Sequence, residues 1–357
     1  MLKRVLALSI AVVFMFAVFA ACGQTAQKQE PAPQPKADEN KTEDKKAEAP
    51  APKPSGEQIV LRLGETHPAD YPTTLGDKEF ARLVEERTNG RIKIEVYHGA
   101  QLGEEKAVIE QVQFGAIDFT RVSLSPLAEF SKKMNVLQLP YLYRNADHMW
   151  KVLNGPIGDE FLKSIEDANF VGLTWYDGGA RNFYNSKRPI KSVADMKGLK
   201  IRVQESKLMM ELVKALGASP TPMPYGEVYS GLQTGVIDGA ENNWPSYDTS
   251  SHYEVAKYYT LDEHTRVPEI LIASKMSMDK LSKEDQEIIK QAARDSQKLQ
   301  REEWAKKEKE SEKKVRDAGC EIIELESNEE FQKAVAPLYD EFAGDYKDLI
   351  QKIKDTK

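Results

Sequence analysis

The stretch EQIVLRLGETHPADYPTTLGDKEFARLVEERTNGRIKIEVY, residues 57–97, reads in succession as strand, turn, helix and strand. Ile59, Val60, Leu61 and Leu63 form a short apolar run of strand length, and Thr66 to Thr74, with Pro68 and Pro72, reads as a turn. Phe80, Leu83 and Val84 recur at helical spacing until Asn89-Gly90, and Ile92 to Tyr97 alternates apolar with polar. The cycle continues through a helix at 106–114 and a short strand at 116–119. Strands alternating with helices define an α/β class with crossover connections. Ligands of such sheets bind beyond the carboxyl ends of the strands, so the loops after Leu63, Tyr97 and Phe119 are the places where a site is expected.

A second α/β unit begins near residue 180, with an expected strand at 200–203, a helix at 208–216 closed by Gly217, a helix at 225–232 and a strand and turn at 236–239. Val267 to Ala273 is apolar enough for a buried strand returning to the first unit. From Ser282 to Ala318 neither Pro nor Gly interrupts the chain, and Ser282 stands as N-cap before it. That predicts one helix of 37 residues, about 55 Å long at roughly 1.5 Å per residue. Ile288, Ile289, Ala292 and Leu299 are its expected core face. Its later half, nearly all Lys and Glu, is expected to cross both units in solvent. Cys320 reads as a buried strand residue. The expected architecture is a two-domain hinged cleft, with 57–178 and 267–306 as domain I and 179–266 and 307–357 as domain II.

The amino-terminal part is of another kind. Lys3 and Arg4 precede an apolar run from Val5 to Phe19, and Ala20-Ala21 leads into Cys22. The run is short for a membrane span, which takes roughly 20 apolar residues, and it reads as a secretory signal. V-F-A-A-C resembles a bacterial lipobox, so residues 1–22 are expected to be a lipoprotein signal with Cys22 lipidated; an ordinary signal cleaved near Ala21 is the alternative. Residues 23–56 hold no Ile, Leu, Val, Met or aromatic residue, and their six Lys offset six acids. Such a segment buries too little apolar area to order itself and reads as a tether.

The chain of 357 residues carries 50 Lys and Arg against 57 Asp and Glu, a formal charge of −7, which disfavours nucleic acid as a partner. It contains no G-x-S-x-G, no P-loop, no G-x-G-x-x-G and no H-E-x-x-H. Its five His have no metal-like spacing, and its two Cys stand in unrelated contexts. No catalysis, metal or cofactor is therefore expected. An exported two-domain α/β protein needs no catalyst to have a use, since it can catch a solute; an exported hydrolase with paired carboxylates in the cleft is the alternative.

Three segments carry a more specific signal: W-Y-D-G-G-A-R-N-F-Y-N at 175–185, D-M-K-G-L-K-I-R-V at 195–203 and L-Q-T-G-V-I-D-G-A-E-N at 232–242. They resemble the solute-binding receptors of tripartite ATP-independent periplasmic (TRAP) transporters, a family that includes C4-dicarboxylate and sialic acid receptors. The resemblance extends over essentially all of 57–357. It implies that Arg202, the Arg of K-I-R, forms a bidentate pair with a substrate carboxylate, and that Arg181 and Asn242 complete the acid site. A guanidinium suits this role because its rigid fork matches a carboxylate and stays charged when buried. His67, Glu129, Tyr176, Glu241 and Trp244, with Glu65, are the remaining pocket candidates. The combination with M-P-Y-G-E-V-Y and E-N-N-W-P-S-Y looks like members that take hexuronates such as glucuronate and galacturonate; C4-dicarboxylates, 2-oxo acids and other sugar acids are the alternatives. The resemblance also implies small and large membrane permease subunits as partners, an extracytoplasmic location held by the lipid on Cys22, or use of the same cleft in chemosensing. Loss of Lys3 and Arg4 with the signal would take the formal charge from −7 to −9. An anion would thus be held by local arginines and not by the field of the whole protein.

Overall fold

The computed structural model describes residues 58–357; the signal at 1–22 with Cys22 and the tether at 23–56 lie outside the described residues. Its strands run β1 (Ile59–Gly64), β2 (Ile92–Tyr97), β3 (Phe119–Ser123), β4 (Phe170–Tyr176), β5 (Arg181–Asn185), β6 (Lys200–Val203), β7 (Ser219–Pro222), β8 (Gly239–Asn242), β9 (Tyr258–Thr265), β10 (Glu269–Ser274) and β11 (Glu321–Glu324). They make two mixed sheets, ordered β2-β1-β3-β10-β4 and β11-β9-β5-β8-β6-β7. In the first, β1 lies parallel to β2 and β3, while β10 enters antiparallel between β3 and β4. The apolar run at 267–273 is thus a wholly buried strand returning to the first sheet.

The chain passes between the sheets at 177–180 and again at 266–268. These crossings lie side by side: a Cβ on Gly178 would come within 2.7 Å of the Val267 carbonyl oxygen. The third connection is the helix Lys283–Asp317, 35 residues long, with Ser282 as N-cap accepting a hydrogen bond from Asp285 N. Its expected core face is rotated. Ile289, Ala292, Ala293 and Ser296 are buried while Ile288 and Leu299 are only half-buried. Small residues win the inward positions because the helix Pro72–Arg87 packs closely there, with a Cβ on Gly76 falling 2.9 Å from Gln300 Cβ. The later, charged half still buries Trp304, Ser311 and Val315, so it is seated on the second lobe by a sparse stripe instead of standing in solvent.

Other boundaries shift for local reasons. The first helix starts at Pro72, inside the expected turn, because proline suits the first helical position. The strands expected at 116–119 and 236–239 lie at Phe119–Ser123 and Gly239–Asn242, and Val236 is exposed. Their sequences FTRVS and GAEN hide a strand because their polar side chains are buried for use in the cleft. Cys320 is half-buried and precedes β11, with Sγ 3.5 Å from the Tyr253 carbonyl. The carboxyl-terminal helices, expected with the second domain, touch both parts. His148 Nε2 lies 2.8 Å from the Ile353 carbonyl and Tyr339 Oη donates to the Pro140 carbonyl at 2.8 Å, while Phe331 and Leu338 share an apolar cluster with Leu208 and Leu212.

Candidate functional site

The cleft opens where the two sheets face each other. From the first lobe come Thr66 and His67 after β1, Glu105, Arg121 and Ser123 on and near β3, and Glu269 at the start of β10; from the second come Arg181, Arg202, Gln204 and Asn242. The loop after β1 and the first residue of the helix that follows β2 thus contribute to one wall, beyond the carboxyl ends of those strands. The walls stand close. The cavity between them measures about 400 Å³. The lobes touch inside the cleft, where Tyr71 Oη is 2.8 Å from Ser246 Oγ, and at its rim, where Glu129 accepts a hydrogen bond from Lys207 N at 2.8 Å.

The second lobe presents the cationic wall. Arg202, 3% exposed on β6, donates through Nε and Nη2 to the Met223 carbonyl at 2.9 and 2.6 Å, and no carboxylate among the described residues pairs with it. Burial consequently pulls its pKa below the usual guanidinium value, although an arginine stays protonated. Arg181 is held differently. Its Nη2 donates to Glu241 Oε1 at 2.8 Å, its Nε also meets Glu241, and its Nη1 donates to Asn242 Oδ1 at 3.0 Å. Burial acts against its charge, but Glu241 outweighs that and raises its pKa. Asn242 Oδ1 also accepts from Asn243 N, which leaves its Nδ2 donor on the cleft side.

Glu241 is fixed from behind. His264, fully buried and stacked on Phe183 at 4.3 Å, has Nδ1 2.8 Å from Asp262 Oδ2 and Nε2 3.4 Å from Glu241 Oε2. Against the upward push of burial, Arg181 and His264 lower Glu241 to about 2. Burial would depress His264, but Asp262 first and then Glu241 raise it to about 9. A raised folded-state pKa adds stability that is complete below the unfolded value of 6.5 and is lost as pH climbs through 9. Chemical unfolding of wild type should accordingly show stability falling across that window, and His264→Gln should flatten the profile there. Parallel profiles for the two proteins would exclude a protonated His264.

The first lobe presents an acceptor wall organised by Arg121, which is fully buried in β3. Its Nε donates to Glu65 Oε2 at 2.7 Å, and its Nη1 reaches Glu105 Oε1 at 2.9 Å and Glu269 Oε2 at 2.8 Å. Glu65 is saturated: it also accepts from His67 N at 2.8 Å and Thr73 Oγ1 at 3.1 Å. Burial opposes its ionisation, yet Arg121 and His67 hold it well below the usual carboxylate range. His67 stacks on Tyr71 at 4.0 Å, and burial followed by Arg121 lowers its pKa, so the ring is neutral at pH 7.

Of the residues picked out from sequence, Arg202, Arg181, Asn242 and His67 line one cleft. Glu241 and Glu65 stand behind it as partners of Arg181 and Arg121. Three candidates lie elsewhere. Tyr176 is wholly buried with Oη 2.6 Å from Ser296 Oγ, where it locks the long helix to β4. Trp244 is stacked on Tyr259 at 4.1 Å in the core of the second lobe. Glu129 sits at the rim, on the amide of Lys207. The aromatic rings that do face the cleft are Tyr71, Tyr225 and Trp304. Sequence reasoning missed these, along with Glu105, Arg121 and Glu269. The available signals were a charge inside each of two strand-like runs, FTRVS and EILIAS, and one Trp in a helix otherwise dominated by Lys and Glu.

The D-G-x-E-N turn has a physical basis as well. A Cβ on Gly239 would lie 2.3 Å from the Tyr184 carbonyl oxygen, so only glycine lets β8 enter between β5 and β6. That entry is what carries Glu241 and Asn242 to Arg181.

Comparison with known proteins agrees with this architecture. A crystal structure of a TRAP periplasmic solute-binding protein from Bradyrhizobium sp. BTAi1, in complex with galacturonate, superposes with a TM-score of 0.82 at 46% identity, covering 83% of this chain and 100% of that one. A counterpart from Pseudomonas putida F1 with bound D-glucuronate gives a TM-score of 0.82 at 40% identity, covering 84% of this chain and 98% of that one. A solute-binding protein of Chromohalobacter salexigens is 40% identical over 291 residues, which is 82% of this chain and 87% of the relative. The model of the bacterial extracellular solute-binding proteins, family 7 (DctP), matches residues 63–345. The chain therefore belongs to the DctP family of TRAP solute-binding proteins, which are extracytoplasmic receptors.

Proposed function

We propose that this protein captures a hexuronate, D-glucuronate or D-galacturonate, in the cleft between its lobes and delivers it unchanged to the small and large permease subunits of a TRAP transporter. The observation that carries the reading is Arg202, a buried guanidinium that faces the cleft without a carboxylate of its own. A desolvated cation is costly until an anion arrives, so the cleft is built to take one. The free N–H groups of Arg202, with Asn242 Nδ2, offer donors to a carboxylate, and Arg181 orients Asn242. The ligands bound in the relatives support the choice of a uronate. Opening would proceed by rotation about the adjacent crossings at 177–180 and 266–268 with flexing of the long helix, the usual way a two-lobed binding protein admits and encloses its ligand. Diacylation of Cys22 would hold the receptor to the membrane surface, with the tether keeping the lobes clear of it.

The test is a thermal-shift screen of the mature protein against uronates, aldonates, C4-dicarboxylates and 2-oxo acids, with the neutral hexoses as controls. A uronate at 100 times its Kd should stabilise by about 2.7 kcal/mol through mass action alone. A shift with the uronates and none with the hexoses is expected. A flat response to every carboxylate would remove the reading.

A further inference from the structure

The cleft is electrically lopsided. On one wall stands Arg202, which forms no ion pair among the described residues and meets the charges of Glu241 and Glu105 only at longer range. On the other, the single charged guanidinium of Arg121 is shared among Glu65, Glu105 and Glu269, so carboxylates outnumber cations there. Glu269 accepts from Arg121 through Oε2 only, and Glu105 accepts through Oε1 from Arg121 and from Ser123 N. The second oxygen of each acid accepts no hydrogen bond among the described residues, and both acids line the cleft. Two further polar atoms of the cleft have no partner among the described residues, one on this wall and one on the wall of Arg202. Gln204 Oε1 and Ser123 Oγ are buried in residues that line the cleft, 8% and 1% exposed. Gln204 Oε1 and the two carboxylates, when ionised, can only accept; Glu269 is raised to about 7, so above that pH their natural complement is a set of hydroxyl donors.

We propose that Glu105 and Glu269, held by Arg121, act as specificity-determining residues that accept ligand hydroxyls and exclude a second ligand carboxylate, making the receptor selective for hydroxylated monocarboxylates over dicarboxylates. The inference rests on the hexuronate reading for the ligand class but makes a separate claim about the first-lobe wall of the pocket. A second carboxylate placed there would have acceptors facing acceptors and like charges at close range in a buried site, which is costly on both counts. The crowding of negative charge already shows in Glu269. Its acid group is pushed up by burial and by Glu105, with Arg121 only partly offsetting them. A receptor for dicarboxylates would need a cation free on this wall, and Arg121 is already surrounded.

The experiment is calorimetric titration of wild type, Glu269→Gln and Glu105→Gln with D-glucuronate, and with D-gluconate and D-glucarate as an open-chain pair differing only in whether C6 is a hydroxymethyl group or a carboxylate. Wild type should prefer D-glucuronate to D-glucarate by at least about 100-fold, and each Gln variant should lower that ratio by at least about 10-fold, as one or two unfavourable charge contacts imply. Circular dichroism and unfolding curves establish that the variants are folded; the isosteric amide retains an acceptor toward Arg121, and Glu105, the more exposed of the two acids, provides the milder substitution. D-glucarate bound by wild type within about 10-fold of D-glucuronate, or ratios that do not fall in either folded variant, would overturn the proposal. Wild type that ignores D-glucuronate but prefers D-gluconate to D-glucarate would sink the ligand identity and leave the exclusion of a second carboxylate standing. Equal binding of that pair would sink the exclusion alone.

Discussion

Arg202→Met abolishes uronate binding while leaving the ligand-free protein as stable as wild type or more so. The expected loss follows from truncating one partner of a buried, hydrogen-bonded charge pair, which costs about 2–5 kcal/mol, or roughly 30- to 4,000-fold in Kd. The unchanged stability follows from a different fact. In the closed cleft Arg202 is a desolvated cation whose only hydrogen bonds are to the Met223 carbonyl, with Glu241 and Glu105 acting at longer range, so methionine removes a burial penalty together with two hydrogen bonds. Titration calorimetry and a thermal scan of the same preparation check both halves. A variant that binds uronate within about 10-fold of wild type would show that Arg202 is not the carboxylate partner. One that loses its fold would show that the guanidinium is structural.

Arg121→Met should do the reverse. Arg121 lies in the same cleft and is equally buried, but it is surrounded by Glu65, Glu105 and Glu269. Its removal strands three acids in the interior, a change worth about 3–5 kcal/mol of stability and roughly 10 °C in Tm. The deficit should shrink as pH falls. Without Arg121 the folded-state pKa values of these acids rise above their unfolded values, so the stability they cost is regained as they protonate toward pH 5. Unfolding of wild type and variant at pH 7 and pH 5 measures this. A Tm within about 2 °C of wild type at pH 7 would contradict the assignment of Arg121 as the organiser of that wall. The two arginines thus look alike by burial and are separated by their counter-ions.

That distinction marks the limit of what could be read from residues in order. Strands rich in Ile, Val and Leu were legible: β1 and β2 lie where their apolar patterns place them, and the long helix follows from its cap and its lack of Pro and Gly. The strands that carry the site were displaced or misread. FTRVS and GAEN do not alternate as surface strands do, because both faces are buried and one meets the cleft. Arg202 was visible through its motif, although simple alternation in Lys200–Val203 would set it opposite Ile201 and Val203 and toward water. It lines the cleft instead, where the opposing lobe covers the face that alternation would give to water. Glu269 and Arg121, 148 residues apart, could not be paired from sequence; their contact exists because β10 runs antiparallel to β3. Tyr176 and Trp244 show the converse error, since a large aromatic at a strand end serves the core as readily as a pocket.

Arg202, buried in the cleft without an ion-pair partner among the described residues, should receive the carboxylate of a hydroxylated monocarboxylic acid. A crystal structure of the mature protein with D-glucuronate or D-galacturonate tests it most directly. The account requires the carboxylate oxygens within hydrogen-bond distance of the Arg202 guanidinium, about 2.7–3.2 Å, with Asn242 Nδ2 beside them and the ring hydroxyls turned toward Glu269 and Glu105. A uronate seated the other way round, with its carboxylate on Arg121 and Arg202 left to water, would contradict it.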